Sequence, residues 1–479
     1  MISGMESVVT VQARPRLTKE AEALFGRFAK RFGRDERRLN RLLDTGADPN
    51  EAKRLFVREG LTARQFNSIS FVVKGKRASR AASAAREIKD KRRAALAIEG
   101  RLKKARENGG YAPAEAHQKR RRLARLRADV ARLETRPPRM VFGGGKLWSA
   151  QHDPGANGYA SHGEWLADWR EKRASEFFFV GSKDESFGNQ SCQWNPVTHE
   201  LAVRLPDALG GRIVVPGVEF PHGGSDLEKA ILSGRKVSYR FVRKPKGWYV
   251  FATTERPVVR EITDVARGAV GLDVGPGLVA AVETDAVGNP VARRTFPLPL
   301  YGKSTRQTKA VIEAVAKEIG DWAARTGKPA VIERLDFSAK KARLRERGKG
   351  YARMLSSFAY GAIHLAVRSR CEKSGVQVFS VNPAFSSTIG IVKFSAMYGL
   401  SGDEAAALAL ARRGLRFKES LPAGTAFDRP EDRSKHVWSH WRRLGKALRP
   451  LGRHAFIAAA RGPGGRRGYP AFPARAAPA

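Results

Sequence analysis

The 479 residues carry 89 Lys and Arg against 47 Asp and Glu, a net charge of +42 at pH 7. Such an excess repels itself in a compact chain unless a polyanion supplies counter-charge, so nucleic acid is the expected partner over a large footprint. With 42% hydrophobic residues the chain is a folded, multidomain basic protein, and two cysteines without a CxxC exclude a disulfide scaffold and a four-thiolate zinc ribbon.

The opening residues lack an apolar core long enough for a signal peptide, and no uncharged apolar stretch of about 18 residues would span a membrane. A cytoplasmic, nucleoid-associated protein with no membrane partner is expected. A β-prone piece, residues 7–13, comes first and stops at Arg14-Pro15. From 17 to about 135 the texture is helical, beginning with Ala21, Leu24, Phe25, Phe28 and Phe32 at three- and four-residue spacing. Between Lys74 and Arg127 there are 19 Lys and Arg against 5 Asp and Glu, including Lys119, Arg120, Arg121 and Arg122. A solvated helix face is the bland reading of a charge run, but i,i+4 pairs cannot neutralise one so nearly unmixed. It reads as a lobe facing nucleic acid, with Lys74, Arg77 and Arg80 in its first half.

Pro137-Pro138 closes that lobe. A glycine-rich turn follows, bearing Lys146 and Trp148, with Trp165 and Trp169 beyond it. Then come β-rich segments at 177–180, 200–205 and 212–215. The clearest signal is a hairpin, 236–243 and 248–254, with Val237, Tyr239 and Phe241 on one face and Ser238 and Arg240 on the other. Arg240 and Arg243 are candidate nucleic-acid contacts. Small backbone-binding barrels look like this, and so do plain sandwiches. The first strand could join such a barrel, with the helical lobe inserted between.

From Ala269 the order becomes strand, strand, strand, helix, strand, helix, strand, which implies an α/β domain. One helix runs from about 304 to 325, with Ile312, Val315, Ile319 and Trp322 aligned. Another runs from about 352 to 373, with Leu355, Phe358, Ala362 and Leu365 aligned. Cys371 on that helix reads as a small hydrophobe, and Cys192 as a partly buried thiol. His436 and His440 stand i,i+4 in a Trp/Arg-rich stretch and would stack on RNA or lie in solvent.

Three acids stand out. Asp273 interrupts a strand of Ala, Val, Leu and Gly; Glu333 ends the apolar run AVI; Asp403 precedes EAAALALARR near a helix start. Taken singly, Asp273 could cap a turn, Glu333 could pair with an arginine and Asp403 could be an ordinary N-cap. Gathered from two strands and a helix, they would repel one another and require divalent cations, as two-metal phosphodiester cleavage does. The RNase H fold supplies acids in this order.

GLDVGPGLVAAV resembles the first RuvC motif of TnpB-type RNA-guided nucleases and of compact type V CRISPR effectors. AVIERLDFSAKK is similar to their second motif and DEAAALALARR to the third, with VNPAFSSTIG resembling the segment before it. GSKDESFGNQSC and YRFVRKPKGWYVFAT resemble their barrel region, so the likeness runs over roughly 140–420. It implies an OB-like β-barrel (1–16 and 139–265) with an inserted helical recognition lobe (17–138), then an RNase H-like (RuvC) nuclease domain (266–420) and a basic extension (421–479) ending in disorder. The fold class is thus multidomain α+β and α/β. By the same resemblance Asp273, Glu333 and Asp403 are catalytic and metal-ligating, with two Mg²⁺ for which Mn²⁺ could substitute. A guide RNA would select double-stranded target DNA beside a short flanking motif. Lys340 and Lys341 would sit in a lid near the cleft. The chain departs from the pattern at 385–402, which lacks the usual four cysteines, so no zinc is expected. It departs again at Ala405, where an Asn is usual. A nuclease-silent guided repressor and a non-guided RNA-binding protein stay open, as does monomer against dimer.

Overall fold

The computed structural model describes residues 8–107, 109–135, 139–183, 185–255, 259–275, 277–334, 357–421 and 436–448. Lys340 and Lys341 lie outside them, as do Leu355, the side chain of Phe358 and most of the C-terminal extension. The chain divides into two compact units, 1–258 and 259–479.

The first unit begins with β1 (Val8–Ala13). Four helices follow: α1 (Lys19–Asp44), α2 (Pro49–Arg58), α3 (Ala63–Glu107) and α4 (Pro113–Thr135). Thr18 and Asp48 cap α1 and α2 by accepting first-turn backbone N–H groups. α3 spans 45 residues, roughly 68 Å at 1.5 Å per residue. It pairs with α4 along a thin seam of Ala95, Ile98 and Leu123. Short α5 (Gly145–Ser149) and α6 (His162–Lys172) lead into the strands.

β2 (Glu176–Phe179), β6 (Val237–Lys244) and β7 (Gly247–Glu255) join β1 in an antiparallel sheet of order β1-β7-β6-β2. A separate sheet holds β3 (Cys192–Asn195), β4 (Glu200–Arg204) and β5 (Arg212–Val215), and α7 (Gly224–Leu232) precedes β6. The alternation read in the hairpin holds: Val237, Tyr239 and Phe241 are fully buried. The barrel does not. Among the described residues the strands form two open sheets with β1 and β2 as free edges. The cause is what covers the apolar face. Phe25 of α1 meets Phe177, Phe241 and Trp248 edge-on at 5.2–5.7 Å, and Phe28 packs on Phe177 and Phe179. Trp194, Leu201 and Val203 of the smaller sheet complete the same core. A helix and a second sheet bury the surface that closure would otherwise bury. Cys192 is fully rather than partly buried, because it faces this core opposite Val203.

The second unit holds β8 (Val270–Gly275), β9 (Leu278–Thr284), β10 (Pro290–Pro297), α8 (Thr305–Thr326), β11 (Ala330–Glu333), α9 (Ser357–Lys373) and β12 (Val378–Val381). Next come α10 (Ser386–Ile389), a π-helical turn (Gly390–Ser395), α11 (Ala396–Tyr398), α12 (Gly402–Gly414) and α13 (Val437–Leu448). The sheet order is β10-β9-β8-β11-β12. The first three strands are antiparallel neighbours, and β11 runs parallel to both β8 and β12. Ser304 and Gln307 form a capping box on α8, and Gly327 ends the helix in the left-handed region at φ 65°.

Both faces of this sheet are covered. Val270, Leu272, Ala330 and Ile332 point to α8 and α9, where Ile312, Val315, Ile319 and Trp322 form the expected stripe. On α9 the buried stripe is Ile363, Val367 and Cys371, whereas Leu365 is 70% exposed. The aligned face expected through Ala362 and Leu365 is therefore displaced, because the i,i+4 series from Ile363 faces α8. The opposite sheet face receives α12, whose residues Ala405 to Ala411 are buried all round. Gly271 makes this contact possible: a Cβ there would run into the Ala407 carbonyl oxygen.

Candidate functional site

The acid site starts from strand alternation. Val270 and Leu272 face α8, so Gly271 and then Asp273 turn toward the α12 side. On β11, Val331 packs with Ala411 of α12 and Ile332 faces α8, which turns Glu333 to the α12 side as well. The β8–β11 ladder ends with Ile332 paired to Leu272, and Asp273 and Glu333 are the next residues on the two strands. Glu333 is 9% exposed, Asp273 half-buried. Each has interactions with other groups, so neither is an isolated buried charge.

Asp403 lies half-buried in the first turn of α12. It is not the N-cap. Ser401 takes that role, accepting from Glu404 N at 3.3 Å while Glu404 accepts from Ser401 N at 2.8 Å. Glu404 is also tied to Arg293 of β10 at 3.4 Å. Asp403 is thus left out of both the capping and the ion pair. Among the described residues no three of His, Cys, Asp and Glu stand close enough together to hold a metal ion. Asp273 and Glu333 stand on adjacent parallel strands, and Asp403 stands on the helix that covers the same sheet face.

Segment 385–402, which has no cysteines, is held by packing. Ile389, Val392, Phe394 and Leu400 share a core with α12 and with Trp441 of α13, and Trp441 Nε1 donates to Glu419 O at 2.7 Å. Arg413 donates to the carbonyls of Asn382 and Ala384, anchoring the chain after β12. Burial pushes its guanidinium pKa down, against the opposing pull of Glu419. Near α13, the His436 ring stands edge-on to Trp438 at 5.8 Å and its Nδ1 accepts from Trp438 N.

The basic candidates divide by what they already touch. Arg120, Arg121 and Arg122 are exposed on α4, and Lys74 is exposed on α3. Arg77 is committed to α1, donating to Asn40 at 3.0 Å and Asp44 at 2.5 Å, and Arg80 also has contacts. Lys119 pairs with Glu115 at 3.0 Å and lies over the Tyr111 ring. Arg240 is held by Glu176, and Arg243 by Glu171 at 3.4 Å. Three acids of the helical pair lock it crosswise: Lys91 to Asp129 at 2.7 Å, Arg92 to Glu134 and Arg127 to Glu99. Those acids are spent within the lobe and do not neutralise the outward cations Arg120, Arg121 and Arg122.

Lys146 and Trp148 sit on a clamped loop. Trp165 Nε1 donates to Leu147 O at 2.7 Å and Trp169 Nε1 to Phe142 O at 3.2 Å. Trp148 packs on Trp169 at 5.0 Å yet stays 38% exposed, and Arg173 lies 3.5 Å over the Trp169 ring. Sequence reasoning missed Gly271 and Arg413. A glycine two positions before a strand-borne acid was the available signal for the first; nothing in the pattern marked the second.

No family model and no curated protein matches the chain. Solved structures similar to it include two Cas12f complexes. A Cas12f1–sgRNA–target DNA complex is 12% identical, covering 69% of this chain and 95% of that one, with a TM-score of 0.24. A CRISPR–Cas12f ternary complex is 10% identical, covering 85% and 98%, with a TM-score of 0.22. At those scores neither likeness bears on what this chain does. No helix among the described residues is long and apolar enough to cross a membrane.

Proposed function

We propose that the chain is an RNA-guided DNA endonuclease whose second unit is an RNase H-like (RuvC-type) nuclease and whose first unit carries the guide and target. One observation carries the reading: in the order β10-β9-β8-β11-β12, two acid-bearing strands lie side by side, and Asp273 and Glu333 each follow the last paired residue of the ladder. The order of the three acids along the chain and the net charge of +42 support it.

A set of carboxylate oxygens has the chemistry for a hard divalent cation such as Mg²⁺. Asp273 and Glu333 would hold it, and Asp403 would complete the set from the first turn of α12. Bound there, the cation would supply Lewis acidity at a target phosphate. Gly271 keeps α12 tight against the strand that carries Asp273. The outward arginines of α4 would hold the RNA backbone, and Trp148 would stack on an unpaired base.

The test is to sequence the RNA that copurifies from cells carrying the native locus, then offer the complex a plasmid library matching it. Discrete RNA and Mg²⁺-dependent cuts at a fixed offset are expected. Guided binding without a cut would favour the silent binder. Absence of a discrete RNA would overturn the guided reading.

A further inference from the structure

The solvent face of the three-stranded sheet holds a recess of about 210 Å³ that neither the acid site nor the basic helices use. Arg204 of β4 and Arg212 of β5 line it and are direct register partners, both exposed. Like charges directly opposite on a sheet are destabilising, so the arrangement asks for an anion. Among the described residues neither arginine makes an ion pair. Asp207 lines the same recess, exposed and unpaired with either arginine.

Two amides complete the lining. Gln190 Oε1 accepts from Arg64 Nε at 3.0 Å, which leaves its NH₂ to donate. Gln193 Nε2 donates to Ser186 O at 3.3 Å, which leaves its carbonyl oxygen to accept. The recess therefore offers guanidinium forks and a carboxylate within a volume below that of a drug-sized pocket. A ligand that matches is an anion joined to a hydroxyl donor. The geometry points to one ribose–phosphate unit of an RNA strand: Arg204 and Arg212 grip the phosphate, and Asp207 accepts from the 2′-hydroxyl. DNA lacks that donor. The inference rests on the RNA-binding half of the proposed function and not on cleavage.

The test uses the full chain carrying Asp273→Asn, so that loss of nuclease activity does not touch the readout. Val214, 52% exposed and the register partner of Ala202, is changed to Cys and given a photo-crosslinker. The native Cys192 and Cys371 are fully buried and escape the reagent. The probes are a labelled single-stranded RNA and the DNA of the same sequence. RNA should crosslink and DNA should crosslink weakly. Arg204→Gln with Arg212→Gln should lower the RNA yield about tenfold or more. Arg204→Lys with Arg212→Lys keeps the charge but not the fork, and should fall between, which guards against a folding artefact. Asp207→Ala should bring RNA down to the DNA level. Equal yields for RNA and DNA, or an RNA yield that survives the double Gln change, would overturn the proposal.

Discussion

The α3–α4 pair and the β8–α12 contact solve the same problem, joining two elements, by opposite means. The helical pair has a seam of three buried apolar residues flanked by partly buried Leu102 and Leu126, and crosswise ion pairs tie its outer edges. The strand–helix contact is apolar in its middle. It relies on Gly271 and on an alanine-rich helix pressed against the strand. A surface that must hold a polyanion can tolerate loose, charge-based joining. A site that must gather carboxylates needs backbone brought close. The first should respond to salt and the second to volume.

The largest expected effect on stability is at Gly271. Gly271→Val puts side-chain atoms where the Ala407 carbonyl stands, and should cost about 3 kcal/mol by forcing α12 off the sheet. Urea unfolding of the full chain would show it as a lower midpoint. Leu123→Ala, in the thin seam, should cost about 2 kcal/mol. That loss should be local, read as faster amide exchange in α4 with the global midpoint unchanged.

Salt sharpens the contrast. Each crosswise pair is partly exposed and contributes about 0.2–1 kcal/mol, so 1 M salt should speed exchange in α3 and α4 and leave the buried middle of α12, Ala405 to Ala411, unaffected. The smallest effect is a pH signature at Glu36 of α1. Burial raises its carboxyl above the ordinary 4.5, ahead of the opposing Lys76, whose Nζ lies 2.6 Å away. A raised acid favours the folded state when protonated. Its contribution is present below about 4.5 and lost as pH rises through the raised value. Glu36→Gln removes that dependence, so the variant should gain on the wild type as pH climbs through this window in parallel urea titrations.

Elements with their own periodicity were legible in the sequence. The alternation of β6 and the Ile312–Trp322 stripe of α8 are local, and both appear as read. Strand texture around Asp273 and Glu333 also sufficed to set them on strands, which the sheet order makes neighbours. What was illegible depends on partners. Whether the first sheet closes is decided by Phe25 and Phe28 from a helix more than a hundred residues away in sequence. Which stripe of α9 is buried depends on α8, so Leu365 misled. The joining role of Asp129, Glu134 and Glu99 needs α4 folded back on α3. Asp403 read as a helix start, but that Ser401 and Glu404 would do the capping required the backbone.

The most direct test of the account is single-turnover, Mg²⁺-dependent cleavage of a guide-matched duplex by Asp273→Asn, Glu333→Gln and Asp403→Asn, with guided binding measured alongside. The account predicts that all three bind like the wild type and that each loses cleavage by on the order of 10³-fold, about 4 kcal/mol of barrier. Wild-type cutting by the Asp273→Asn or Glu333→Gln chain would contradict it. So would undiminished cleavage with Asp403→Asn, since α12 would then contribute packing and no acid.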